Sequence, residues 1–169
     1  MRIIKLAFIS LILLSVVITV ISLFIPPHIR VSRTVRINTT KEAVLFQLID
    51  PVRWRDWYPG ADTSTFFYEN GKISGIILNK ELNQYLAITE KKENEIITSF
   101  NDPVSHRKIT SDWRVIPETD SNSVSVQWYM DFDLRWYPWE KFSSLMYDKS
   151  YGFRMELGLN NLKKLVELK

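Results

Sequence analysis

The sequence predicts an α+β domain, an antiparallel sheet packed on a long C-terminal helix, carried behind one membrane-spanning helix. Three observations predict it. Residues 6–25 form an apolar run without a single charge. Residues 29–134 hold successive segments in which apolar and polar side chains alternate, as strands with one buried face require. After Pro138 the apolar spacing changes to three and four, the period of a helix.

With 169 residues the chain suits one domain of ordinary size. It is 46% hydrophobic and 13% aromatic with only 5 Gly, enough apolar surface to offset the entropy of ordering. That composition excludes a disordered chain. The absence of cysteine excludes disulfides, thiol catalysis and thiolate metal sites. The net charge of +3 arises largely at the N-terminus. Without Arg2 and Lys5 the balance is 20 basic against 19 acidic residues, with the signs interspersed. A nucleic-acid binder concentrates basic charge on one face, so nucleic acid is not an expected partner.

The run from Leu6 to Ile25 spans about 30 Å as a helix, the thickness of a hydrocarbon core. Arg2 and Lys5 precede it, and Pro26-Pro27 stops the helix where the apolar run ends. A cleaved signal peptide is the competing reading, with Val20-Ile21-Ser22 as the cleavage site. Leu23-Phe24-Ile25 continue the apolar run past that site and favour an uncleaved anchor. The expected organisation is an anchor at 1–27 and a domain at 28–169. Arg2 and Lys5 favour a cytoplasmic N-terminus and an extracytoplasmic domain, against the opposing pull of Arg30, Arg33, Arg36 and Lys41.

Within the domain, Ile29, Val31, Val35 and Ile37 alternate with polar residues as a first strand. Thr39-Thr40-Lys41-Glu42 then predicts a capping box with Thr39 as N-cap. A short helix follows, with Val44, Leu45, Leu48 and Ile49 on one face. Residues 52–60 form an aromatic turn carrying Trp54, Trp57 and Tyr58. Strands at 65–69 and 72–79 flank Asn70-Gly71, a strong hairpin signal. Further hairpins pair 85–90 with 95–100 and 108–116 with 123–134. In the last strand Val124, Val126, Trp128, Met130, Phe132 and Leu134 share the apolar face. The final segment is helical with Gly152 as a candidate break, and Tyr147, Tyr151, Met155, Gly158, Leu162 and Leu165 fall on one side.

The order of these elements, with Val31-Ser32-Arg33-Thr34-Val35-Arg36-Ile37-Asn38 leading into the capped helix, resembles the START-like superfamily. This group, also called SRPBCC, includes polyketide cyclase/dehydrase and lipid-transport proteins. Trp54-Arg55-Asp56-Trp57 resembles the aromatic turn of many bacterial members, and 157–165 resembles their terminal helix. The resemblance covers about residues 29–168 and lies in order and spacing rather than in any one motif. It implies a helix-grip fold, with the sheet wrapped around the long helix over a cavity for a hydrophobic ligand. It carries over no catalytic residue.

No catalytic constellation stands out. Ser105-His106 are adjacent in sequence, which is not a nucleophile–base geometry, and His28 lies at the membrane exit. No HExxH, phosphate loop or EF-hand pattern is present, and no cofactor or metal is expected. Asp131 with Asp133 and Glu118 with Asp120 belong to solvated surfaces. Arg33 shares a face with Val31 and Val35; it is either a counter-charge for an anionic ligand head or a sheet-edge residue with its guanidinium in water. Trp57, Trp113, Trp128, Met130, Phe132, Tyr151 and Met155 converge on one interior, as a solid core or as a cavity lining. Trp136 and Trp139 form a lid or touch lipid head groups.

The leading expectation is membrane-tethered binding of a hydrophobic small molecule or lipid. A cyclase/dehydrase-like enzyme is the first alternative, and an anchored interaction domain with a filled core the second. Only Pro26 to His28 separate the span from the first strand, a reach of about 11 Å at most, so the domain sits close to the bilayer.

Overall fold

The computed structural model describes residues 2–102, 107–119 and 122–168. The chain runs α1 (Arg2–Leu23), β1 (His28–Ile37), α2 (Lys41–Leu48), a 3-10 turn (Pro51–Asp56), β2 (Thr65–Glu69), β3 (Lys72–Asn79), β4 (Gln84–Lys91) and β5 (Glu95–Asp102). It continues through β6 (Arg107–Pro117), β7 (Val124–Asp133), α3 (Pro138–Ser144) and α4 (Tyr147–Glu167). The seven strands form one antiparallel sheet in the order β1-β7-β6-β5-β4-β3-β2.

The first and last strands lie side by side. β1 pairs with β7 over ten residues, from His28 opposite Asp133 to Ile37 opposite Val124. That register puts Val31 opposite Met130 and Val35 opposite Val126, so the apolar faces of both strands coincide. β2 lies at the far edge, and α2 with the 3-10 turn crosses from one edge to the other, touching β6 and β3. Register shifts after Phe67, Ile77 and Ile88 interrupt the ladders of β2, β3 and β4. Such bulges bend a sheet, and here the curved sheet takes α4 on its concave side.

Local chemistry explains the turns. Asn70 and Gly71 both adopt positive φ, 50° and 75°, as the two-residue hairpin between β2 and β3 demands. The cap of α2 is Thr40 rather than Thr39. Thr40 is extended (φ −76°, ψ 156°), and its hydroxyl accepts from the Ala43 N–H at 3.4 Å, so the helix starts one residue later than the capping-box reading placed it. Asp50 caps the 3-10 turn by accepting from the Val52 N–H at 3.0 Å. The C-terminal helical region breaks at Leu145-Met146, not at Gly152. Gly152 lies inside α4 against the Arg33 guanidinium, which a Cβ there would strike.

The core is aromatic. Trp54, Trp57, Trp113 and Trp128 are all buried, with Trp113 directly opposite Trp128 on adjacent strands. Ring centroids lie 5.1 Å apart for Trp54–Trp113, 5.3 Å for Trp57–Trp113 and 5.7 Å for Trp113–Trp128, each pair edge-to-face. Edge-to-face packing sets the positive ring edge on the negative face of its neighbour. The Trp54 indole N–H also donates to the Leu48 carbonyl at 2.9 Å, tying the 3-10 turn to α2.

α1 is long and apolar enough to cross a membrane, a property that signal sequences share. Nearly all its side chains are exposed, and only Ser22 is buried.

Candidate functional site

The site lies where α4 crosses the sheet. Gly158 lets the helix approach, since a Cβ there would come within 2.7 Å of the Trp128 ring and 2.9 Å of Pro59. One turn earlier on α4 a small cavity opens. It is lined by Trp128 and Met130 from β7, Phe100 from β5, Tyr58 and Pro59 from the aromatic turn, and Tyr151, Arg154 and Met155 from α4. Its volume is about 20 Å³. That is room for roughly one water molecule, against several hundred Å³ for a drug-sized ligand. The ligand-sized cavity expected from the sequence is therefore not open in this structure. The interlocked rings of Trp57, Tyr58, Trp113 and Trp128 occupy the space.

The predicted site residues separate into three groups. Trp128, Met130, Tyr151 and Met155 line the cavity together. Trp57 and Trp113 are buried behind it, and their indole N–H groups find no hydrogen-bond partner among the described residues. Phe132 lies beside it, its ring 4.9 Å from Tyr151 and 4.7 Å from Tyr147. Arg33 is not in the lining. Its Nε donates to Glu156 at 2.6 Å, and its terminal nitrogens donate to Asp148 at 2.9 and 3.0 Å. These bonds, Asp148 first and then Glu156, raise the guanidinium pKa and hold the Asp148 carboxyl below its usual range. Arg33 thus clasps edge strand β1 to α4.

Tyr58, Pro59, Phe100 and Arg154 also line the cavity and are not among the site residues expected from the sequence, where Tyr58 figures only as part of the aromatic turn. Phe100 was findable by alternation, since Ile96, Thr98 and Phe100 share the buried face of β5. Arg154, set between the site residues Tyr151 and Met155, is the only charged side chain at the mouth among the described residues, with a long 3.5 Å contact to the Pro59 carbonyl.

The chemistry of the lining is sparse. Burial pushes the Tyr58 phenol up to about 12, so it stays a neutral hydroxyl at neutral pH and is a weaker acid than a free tyrosine. No carboxylate or imidazole among the described residues lines the cavity. Among the described residues, no three His, Asp or Glu side chains gather into a metal-binding set. Ser105, His106 and Asp120 lie outside the described residues. His28 is exposed and pairs with Asp133 across β1 and β7.

The titratable groups gather instead on the outer face of the sheet. Glu95 accepts from the Tyr129 hydroxyl at 2.6 Å and from Arg114 Nε at 3.0 Å, while Arg30 holds Asp131 by two bonds of 2.6 and 2.7 Å. Burial alone would raise the Glu95 carboxyl, but these donors and the Arg114 charge bring it below its usual value. Asp112 beside them is buried, and that burial pushes its carboxyl up to about 6 against the Thr98 N–H it accepts.

Against known structures, the fold matches a START superfamily protein from Mycobacterium smegmatis with a TM-score of 0.60 at 20% identity, covering 82% of this chain and 97% of that one. A protein from Thermobifida fusca matches at 0.60 and 19%, covering 79% and 90%. A norcoclaurine synthase point mutant from Thalictrum flavum, in complex with a transition-state analogue, matches at 0.61 and 9%, covering 82% and 94%. No curated protein matches in sequence. Similarities this low in identity establish the fold. The family profile described as polyketide cyclase / dehydrase and lipid transport matches residues 28–167, nearly the whole domain, and the chain belongs to that family.

Proposed function

We propose that this chain is a membrane-tethered domain that binds an apolar small molecule or lipid between α4 and the sheet. The observation that carries the reading is the position and chemistry of the cavity. It lies in the grip of the fold, its lining is almost wholly apolar, and one cation, Arg154, stands at its mouth. Apolar walls with few polar groups are the usual composition of a small-molecule site. Family membership supports the same ligand class. A ligand needs more than the space present, so binding requires side chains to move. Met130 and Met155 are the adaptable walls, being unbranched and flexible.

α1 serves as an uncleaved span in this reading, with the domain on the extracytoplasmic side. Arg2 and Lys5 before the span support that orientation. A second reading, an anchored interaction domain with a filled core, is favoured by the 20 Å³ volume itself. For the enzyme alternative, the lining supplies Tyr58, Tyr151 and Arg154 as its polar groups and no carboxylate or imidazole among the described residues.

Native mass spectrometry of the full chain released from detergent separates the first two readings. Binding predicts a retained non-protein mass that is lost in Met130→Trp, which fills the cavity, while membrane association persists. A bare chain after extraction from several mild detergents favours the filled core.

A further inference from the structure

Helix α3 is inside out for a domain surrounded by water. Its buried residues are Lys141 and Ser144, each 4% exposed. Trp139 and, just past its end, Leu145 point outward at 69% and 64%, with Phe142 and Met146 also exposed. A surface helix normally turns its apolar stripe to the core, and a contiguous exposed apolar patch marks a surface that meets something other than water.

The inward lysine has a specific partner. Lys141 Nζ donates to the Ile25 carbonyl at 2.8 Å, just beyond the end of α1. The ammonium thus bonds a backbone oxygen two residues past the helix, close to the negative end of the helix dipole, which favours a cation there. α1 packs on α3, Ser22 is fully buried, and the Leu134 N–H donates to the Pro27 carbonyl at 2.7 Å. The end of α1, the two prolines and α3 therefore form one rigid corner. Trp136, Tyr137 and Trp139 cluster at the same corner, with Tyr137 stacked on Trp139 at 4.8 Å.

We propose that α3 and its flanking tryptophans lie in the boundary between head groups and acyl chains of the bilayer that α1 crosses, as a second membrane contact. The proposal rests on α1 being a span. The occupant is lipid of that same bilayer, because the apolar face continues from Leu23 and Phe24, themselves exposed where the span ends. Tryptophan and tyrosine are the residues enriched at that depth, and a short helix with one apolar face lies in the interface plane. The foot fixes the domain's tilt. The cavity mouth follows on α4 at Tyr151 and Arg154, so it is held within a few helical turns of lipid.

The chain's own fluorophores test this. Of six tryptophans, Trp54, Trp57, Trp113 and Trp128 are buried, while Trp136 and Trp139 are exposed. The full chain is reconstituted into phosphatidylcholine vesicles brominated high on the acyl chains, and emission is compared with that in unbrominated vesicles and with aqueous iodide. The expected result is quenching by brominated lipid, with most of it lost in the Trp136→Phe/Trp139→Phe double variant and little quenching by iodide. Lys141→Met, which keeps the stem and removes the ammonium, is expected to weaken lipid quenching while the protein still floats with vesicles. Iodide quenching without lipid quenching overturns the foot, as does lipid quenching that the double variant leaves unchanged. Protection from both quenchers that disappears on dilution into more lipid identifies a second copy as the cover and also overturns it. A chain that fails to float with vesicles overturns α1 as a span, an outcome distinct from all of these.

Discussion

Asp112 gives the fold a pH dependence opposite in sign to that of Glu95 and Asp148, whose carboxyls are held low. Its carboxyl ionises near 3.8 when exposed and near 6 when folded, because burial disfavours the charge more than the Thr98 N–H and Tyr129 favour it. Between those values the native state binds the extra proton, so the contribution of Asp112 to stability falls as pH rises through that window and is level above it. Asp112→Asn keeps an acceptor for Thr98 without the charge. Its melting temperature is expected to exceed that of the native chain above about pH 6, with the difference closing below about pH 4. Thermal unfolding at both ends of that range checks this. Residue identities were legible unevenly. The inward face of β7 was evident from alternation, whereas the burial of Asp112 on the polar face was not, since it depends on Arg30, Tyr129 and Glu95 arriving from other strands. Arg33 was visible as a charge on an apolar face, but its partners lie more than a hundred residues away on α4.

Among the elements, α4 sets Gly152, Met155, Gly158, Leu159 and Leu162 in the interior and is sensitive to mutation there. Leu162 is fully buried on its inner face, so Leu162→Asp is expected to cost several kcal/mol, about 3–5, by burying an unpaired charge. Gly158→Val tests the close approach, because its side chain must displace the Trp128 ring or Pro59; overpacking of this kind costs about 1–3 kcal/mol. Chemical denaturation of both variants measures the loss. The existence and type of the elements followed from periodicity, and their ends did not. Thr39 and Thr40 are equivalent in composition, and only the backbone angles choose the cap. The break fell at Leu145-Met146, where the chain leaves the α3 corner, while Gly152 serves contact with Arg33 instead. The sequence offered Trp136 and Trp139 as a lid or a lipid contact, and the outward apolar face of α3 that extends through Phe142 and Leu145 emerged only in the structure.

At the scale of the whole molecule, the chain joins a hydrophobic rod to a gripping domain through a corner with little slack. A Gly/Ser insertion between Pro27 and His28 is expected to leave ligand retention in detergent unchanged while weakening lipid quenching of the exposed tryptophans, because the span and α3 then lose their common register. Orientation is accessible because the native chain has no cysteine. Exposed Lys80→Cys is expected to react with a membrane-impermeant maleimide in intact cells, and labelling only after lysis would place the domain in the cytoplasm. The sequence by itself determined the apolar helix, the alternating strands, the long final helix and their segregation, because each is written in a local period of side chains. Tertiary structure alone decided the volume of the cavity, the partners of Arg33 and the direction of α3. Each of these depends on how close distant segments come: four tryptophans could surround a pocket or fill it, and only the packing of Trp57, Trp113 and Trp128 about α4 leaves the 20 Å³ that remains.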